Sequence, residues 1–496
     1  MVPSQIPIPT AVSHALLGLY LVVWVVFALY GLHRLHLIRL FRRREPDGPP
    51  PAPPRDWPGV TIQLPIYNEE YVVERLLEAA AAVEYPREKL EIQVLDDSSD
   101  TTTEIAARKV REIRARGIDI VHLHRHGRDG FKAGALQFGL ERARGEFVAI
   151  FDADFIPPPS ILRDLVPYLS DPRIGMVQAR WTHLNQDYSV LARVQAISLD
   201  GHFVIEHAAR VAGARFFNFN GTAGVLRRAC ILDAGGWHSD TLTEDLDLSY
   251  RAQLKGWRFA FAPNITCPSE LPVEMNAFKV QQHRWVKGSI QVALKLLPAI
   301  WRAPVPLAVK IEASFHLTYN IAYVFLLVLA VILYPVVLAR YQSRSLAFTV
   351  TDAVLFITAT TSVIFYFAYA QRETRTDWKR QLRYLPFVMS LGIGLAVNNT
   401  RAVVEALVGH RSAFIRTPKF QIERRADGWK GKRYRVPVSP WALLEIGIGL
   451  YFAWAMVLLA HARLYAPIPF FLLYVIGFLY VGGLSVLHAS SRGRAA

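Results

Sequence analysis

Hydrophobic and polar positions follow two different rhythms along this chain. Five runs, 11–32, 307–338, 347–370, 441–461 and 468–488, stay apolar for about 20 residues or more, the length a helix needs to cross a bilayer. The last four pair into two hairpins. A further run, 384–407, is apolar in its first half but holds Asn398, Asn399, Arg401 and Glu405 in its second. It is predicted to lie in the interface or to re-enter, with its polar half against protein or headgroups. Between 59 and 273 the rhythm shortens to β-rich runs at 60–65, 91–95, 119–123 and 147–151, alternating with helical stretches. That alternation predicts an α/β domain built on a doubly wound, mostly parallel sheet, embedded in an α-helical polytopic membrane protein.

The chain therefore divides into a first spanning helix with a basic flank (1–45), a proline-dense, stiff spacer (46–58), the α/β domain (59–273), an interfacial helix (274–306), a hairpin (307–370), an interfacial segment with a loop (371–440), and a second hairpin with a tail (441–496). Charge orients these parts. Arg34, Arg39, Arg42, Arg43 and Arg44 follow the first apolar run, and little charge precedes it. By the positive-inside rule the N-terminus faces out and the α/β domain lies in the cytoplasm. No small-residue cleavage site follows that run, so it is expected to remain as a helix. If 384–407 crossed, the basic stretches 372–383 and 411–435 would face opposite sides, whereas both belong in the cytoplasm. Five spans and a cytoplasmic tail ending in Arg492 and Arg494 result, in a bacterial cell membrane.

Composition narrows the classes further. At 496 residues and 52% hydrophobic, the chain is too apolar for a string of soluble domains. Its formal charge of +15 sits beside the apolar runs, as membrane flanks require, and gives no nucleic-acid footprint. Cys230 and Cys267 supply neither a disulfide framework nor zinc-ligand spacing, and are expected in the core.

Three of the four predicted strands run into polar residues: Tyr67-Asn68-Glu69, Asp96-Asp97 and Asp152-Ala153-Asp154. Ligands of open α/β sheets bind beyond the carboxyl ends of strands, so these residues point at one crevice. Asp152 and Asp154, one residue apart, can share a hard cation, Mg2+ or Mn2+, with phosphate oxygens. A lone Asp-x-Asp is as easily a solvated turn. Asp97 can accept hydrogen bonds from a nucleobase or ribose, although Asp100 or Thr101 also caps a following helix. Lys132 opens another helix, where a cation and free N–H groups meet a diphosphate, or merely water. Thr243-Glu244-Asp245 begins an amphipathic stretch; Thr243 is predicted to cap it, and a carboxylate held there can be a general base for a hydroxyl. Gln281, Arg284 and Trp285 share one helical face, offering an amide, a guanidinium for phosphate and an indole for a pyranose. His283 and His316 lack metal-ligand spacing and read as structural.

This ordered set, from about 59 to 419, resembles the membrane-bound, inverting family-2 glycosyltransferases, the cellulose, hyaluronan and mannan synthase group. Phe219-Asn220-Gly221-Thr222-Ala223-Gly224, Asp97-Ser98-Ser99-Asp100 and Gln281-Gln282-His283-Arg284-Trp285 are most similar in wording to the plant-type β-mannan and glucan backbone synthases. The resemblance implies a nucleotide-sugar donor bound by Tyr67, Glu69, Asp97, Lys132, Asp152, Asp154, Gln281, Arg284 and Trp285. It implies an acceptor contacting Asn220, Gly221, Thr222, Glu244, Asp245 and Trp285, with Asp245 as base. Phe414-Ile415-Arg416-Thr417-Pro418-Lys419 resembles a gating loop whose Phe414, Thr417 and Lys419 would close over the nucleotide; Arg416 stands where valine is common. No hydrophilic domain follows the last span, so a cyclic-dinucleotide-sensing barrel is expected to be absent. The implied activity is processive transfer of a hexose, from UDP-glucose or GDP-mannose, to a β-glycan, with membrane lipids, and accessory or homo-oligomeric subunits, as further partners. A lipid glycosyltransferase acting on diacylglycerol, ceramide or polyprenyl, and a transporter or receptor with a degenerate domain, are the competing classes.

Overall fold

A computed structural model describes residues 9–44, 51–343, 345–410, 412 and 414–490. The start of the 46–58 spacer and the tail with Arg492 and Arg494 lie outside the described residues. A seven-stranded sheet forms the centre of the α/β domain, in the order β3-β2-β1-β4-β6-β5-β7. The strands are β1 (Val60–Ile66), β2 (Leu90–Asp96), β3 (Ile120–His124), β4 (Phe147–Ile150), β5 (Ile174–His183), β6 (Gly224–Arg227) and β7 (Arg258–Ser269). β6 runs antiparallel to β4 and β5; the other pairings are parallel. β1 carries Val60, Ile62 and Leu64 on one face and Thr61 and Gln63 on the other, all buried, because helices cover both sides of the sheet.

The first four strands match the apolar runs in the sequence. β5, β6 and β7 do not stand out there, for physical reasons. β6 is four residues long, β5 alternates Gln178, Arg180 and Thr182 with its apolar residues, and β7 contains Pro263 and Pro268. Proline lacks the N–H a ladder needs, and β7 tolerates it by lying at the sheet edge.

Among the described residues, five helices are long and apolar enough to span a membrane: Thr10–Arg42, Leu307–Tyr341, Leu346–Thr374, Trp441–His461 and Ile468–Ala489. The segment expected to re-enter forms a pair, Trp378–Gly394 and Ala396–Leu407, bent by 44°. Its polar half faces protein: Asn398 Nδ2 donates to the Lys279 carbonyl at 3.0 Å, and Glu405 accepts from Lys287 Nζ at 2.9 Å. Lys279 and Lys287 belong to the 28-residue helix Met275–Arg302, which links the sheet to the membrane helices. Lys279 Nζ also reaches Glu445 of the Trp441–His461 helix at 2.7 Å, with both side chains buried.

Candidate active site

The carboxyl ends of β1, β2 and β4 open into one cavity, closed on its far side by the helix Met275–Arg302 and by the segment after residue 413. Asn68, in left-handed backbone at φ 54°, stitches the first two strand ends together. Its N–H donates to Ser98 Oγ at 2.9 Å, and its Oδ1 accepts from Ser99 N at 2.9 Å. Tyr67, Glu69, Asp97, Lys132, Asp152, Asp154, Asn220, Gly221, Glu244, Asp245, Gln281, Arg284, Trp285, Phe414, Thr417 and Lys419 all line this cavity.

Negative charge is concentrated at its floor. Lys132, the second residue of the helix Phe131–Leu140, donates to the Gly221 carbonyl at 3.0 Å and lies 2.5 Å from Asp152 Oδ1 and 3.8 Å from Glu244 Oε1. Asp154 Oδ2 accepts from Lys419 Nζ at 2.6 Å. Burial, with Asp154 and Glu244 nearby, raises the Asp152 carboxyl above its ordinary range despite Lys132. Burial likewise pushes Asp245 up to about 7, with Glu244 adding to the rise and Lys132 and Arg284 opposing it. Two carboxylates in an Asp-x-Asp, the first of them raised by its surroundings, suit a divalent cation with phosphate oxygens. Asp152 and Asp154 would hold it.

Asp245 is placed by the start of the helix Glu244–Leu254, where its Oδ1 accepts from Leu246 N at 2.8 Å. Thr243 does not cap this helix as expected. Its side chain stands against Gly288, where an added Cβ would come within 2.6 Å of Thr243 Oγ1, so it is turned toward the long helix instead. Asp245 Oδ2 crosses to Gly221, where a Cβ would lie 2.9 Å from that oxygen and 3.4 Å from Lys132 Nζ. With φ at +81°, position 221 needs glycine for conformation and for space.

Other expected contacts differ in detail. Thr222 does not line the cavity; it is buried beneath, and its Oγ1 accepts from Asp152 N at 2.9 Å, fixing the strand end. The Asn220 amide is taken up by His207 at 2.6 Å and His202 at 2.9 Å. Asp97 is gripped by Arg125 through Nε at 2.7 Å and Nη2 at 2.6 Å, so its carboxylate is already bidentate. His283 approaches Glu405 at 3.2 Å and His316 pairs with the Tyr250 hydroxyl at 2.7 Å.

Arg284, expected at the site, lies 4.5 Å over Phe414. Several other lining or supporting residues were not singled out in the sequence. Arg128 stacks 3.4 Å over the Tyr67 ring. Arg416, at the position that departs from the gating-loop wording, reaches Glu69 Oε2 at 2.5 Å. Burial pushes the Glu69 carboxyl up to about 7 even against that guanidinium. Glu270, just past β7, accepts from Phe420 N at 2.8 Å and holds the loop. Arg125 and Arg128 sit directly before Phe131-Lys132, a basic cluster that was the available signal. Glu270 obeys the strand-end rule, but its strand was not legible.

Residues 58–288 match the family model described as "Glycosyltransferase like family 2", so the chain carries a domain of that family. The chain is similar to glucomannan 4-beta-mannosyltransferase 2 of Arabidopsis thaliana, 42% identical over 252 residues, 50% of this chain and 47% of that one. It is also similar to glucomannan 4-beta-mannosyltransferase 1 of Oryza sativa subsp. japonica, 40% identical over 301 residues, 60% of this chain and 56% of that one. The chain thus spans about half the length of the curated relatives it matches. These relatives are plant enzymes and lend no support to the bacterial membrane expected from sequence. Among solved structures, the mannosyltransferase PcManGT from Pyrobaculum calidifontis, in complex with GDP-Man and Mn2+, has the same fold with a TM-score of 0.55 and 20% identity, over 80% of this chain and 100% of that one.

Proposed function

We propose that this protein is an inverting, metal-dependent glycosyltransferase that moves mannose from GDP-mannose onto a growing β-glycan at the membrane surface. The observation that carries the reading is the Asp245 carboxylate, half-buried beside Lys132 and Glu244 in one cavity with Gln281, Arg284 and Trp285. The mannose preference rests on the printed activities of the plant relatives, and GDP-Man and Mn2+ are the ligands of the structural neighbour.

Asp245 takes the proton of an acceptor hydroxyl, and the oxygen attacks the anomeric carbon from the face opposite the diphosphate. An α-linked donor then gives a β-linked product. Lys132 swings from Asp152 onto the departing diphosphate, and Arg284 offers its guanidinium to the same oxygens. Trp285 gives the acceptor sugar an apolar face. Asp152 and Asp154 would hold a divalent ion, which would supply neutralisation of the leaving group's charge. Phe414, Thr417 and Lys419 close over the nucleotide, and the link between Lys419 and Asp154 opens to admit it.

Purified protein supplied in turn with labelled GDP-mannose and UDP-glucose tests the proposal. GDP-mannose should be turned over on the order of ten-fold or more faster, because a base site built for one set of hydrogen bonds rejects another. The product should be a long chain cut by a β-mannanase, and EDTA or Asp154→Asn should abolish its formation. A product of one or two sugars on lipid would instead establish a lipid glycosyltransferase, and absence of nucleotide release would end the enzymatic reading.

A further inference from the structure

Outside the cavity, one cluster of side chains has metal-ligand chemistry and no part in the proposed transfer. β2 ends at Asp96, which pairs in register with His124 at the end of β3, an edge strand. His122, two residues earlier, stands on the same face. His122 Nε2 lies 2.9 Å and His124 Nδ1 3.3 Å from a single oxygen, Asp96 Oδ2, and the three ligand atoms fall within 4.8 Å of one another. Ligand atoms on bonds of about 2.1 Å to a common ion stand about 3.0 Å apart in octahedral and about 3.4 Å apart in tetrahedral geometry. Both nitrogen–oxygen spacings here are of that size.

Asp96 is 0% exposed, and its other oxygen, Oδ1, accepts from Ser98 N at 2.8 Å, which fixes the direction of Oδ2. The imidazoles are 15% and 28% exposed, leaving an outer side open to water ligands. A second grouping, His238 with Asp240 and Asp247, is a useful contrast. There Lys295 Nζ lies 2.8 Å from Asp240 and 2.9 Å from Asp247, and Arg251 Nε lies 2.7 Å from Asp247, so the protein has already supplied the positive charge. Among the described residues no lysine or arginine side chain bonds to the Asp96 carboxylate. Its buried negative charge is met by two imidazoles, a backbone amide and hydroxyls, none of which carries a permanent positive charge.

We propose that Asp96, His122 and His124 form a second metal site, selective for a borderline transition ion of the Zn2+ or Co2+ class over Mg2+, because two of its three ligands are imidazoles. Such an ion ties the end of β2 to the end of β3. The Arg125 N–H already donates to the Asp96 carbonyl at 2.8 Å, and the Arg125 guanidinium holds Asp97. The site thereby braces the strand ends that carry Asp97 into the cavity. It is independent of the donor chemistry.

The test is titration of the full-length, metal-stripped protein in detergent with Co2+, under a large excess of Mg2+ that occupies oxygen-ligand sites. One equivalent of Co2+ should bind with visible d–d absorption, and Zn2+ should displace it and raise the thermal midpoint. Both signals should survive in the Asp152→Asn/Asp154→Asn variant. His122→Gln and His124→Gln, each verified as folded by circular dichroism, should weaken binding at least about ten-fold. His124→Gln alters a half-exposed side chain, so it retains the fold if His122→Gln does not. Absence of Co2+ binding in Mg2+ excess, or binding equally tight in folded His124→Gln, would overturn the proposal and leave the cluster as imidazole N–H groups donating to a buried carboxylate.

Discussion

Asp245 and Asp247 are one residue apart on a single helix and have opposite surroundings. Asp245 faces the cavity, whereas Asp247 is fully buried on the far side, 2.7 Å from Arg251 and 2.9 Å from Lys295. A base must be ionised to accept a proton, so burial that lifts Asp245 to about 7 fixes the direction of the pH effect. Transfer rises with pH through that region, and kcat/KM should show an acid limb close to 7. Asp245→Asn should remove the limb and lower turnover by roughly 100-fold or more. Asp247→Asn should instead lower the thermal midpoint and keep the limb. An acid limb that persists in Asp245→Asn would place the base elsewhere. At this scale the sequence was informative wherever a strand ended on acidic residues. It was silent on pairs assembled from distant segments, such as Arg416 with Glu69, because no local spacing encodes them.

Among the elements, the helix Met275–Arg302 does the joining. It carries Gln281, Arg284 and Trp285 on one stretch, and sends Lys279 and Lys287 into the membrane-side helices. Removing one partner of a buried pair leaves an uncompensated charge, at a cost of about 3–5 kcal/mol, while replacing both by apolar residues is often neutral. Lys279→Met alone and Glu445→Leu alone should therefore each depress the unfolding midpoint in detergent strongly, and the double variant should recover most of the loss. Additive losses in the double variant would mean that the pair makes no net contribution. Periodicity revealed this helix and the first four strands because each is longer or more uniformly apolar than its surroundings. It missed β5 to β7, whose polar alternation and prolines are permitted only by their places in the sheet, a tertiary property.

For the whole molecule, contacts between distant segments constrain topology. Lys419 reaches Asp154, the Arg433 N–H donates to Tyr71 at 2.9 Å, and Tyr434 bonds to Asp100. The segment around these residues thus lies on the same side of the membrane as the sheet. Two spanning helices, Leu307–Tyr341 and Leu346–Thr374, return the chain to that side, so a bent pair that crossed would carry the segment away from its partners. We propose that the pair enters and comes back. A cysteine placed by Gly428→Cys should resist an impermeant maleimide in intact cells and react after permeabilisation; ready labelling from outside would make the pair a sixth span. The buried pairs also set an order of biosynthesis. Lys287 and Lys279 wait for Glu405 and Glu445, which leave the ribosome 118 and 166 residues later, and Asp154 waits 265 residues for Lys419. A nascent chain that already holds its complete sheet is still unfinished as a catalyst.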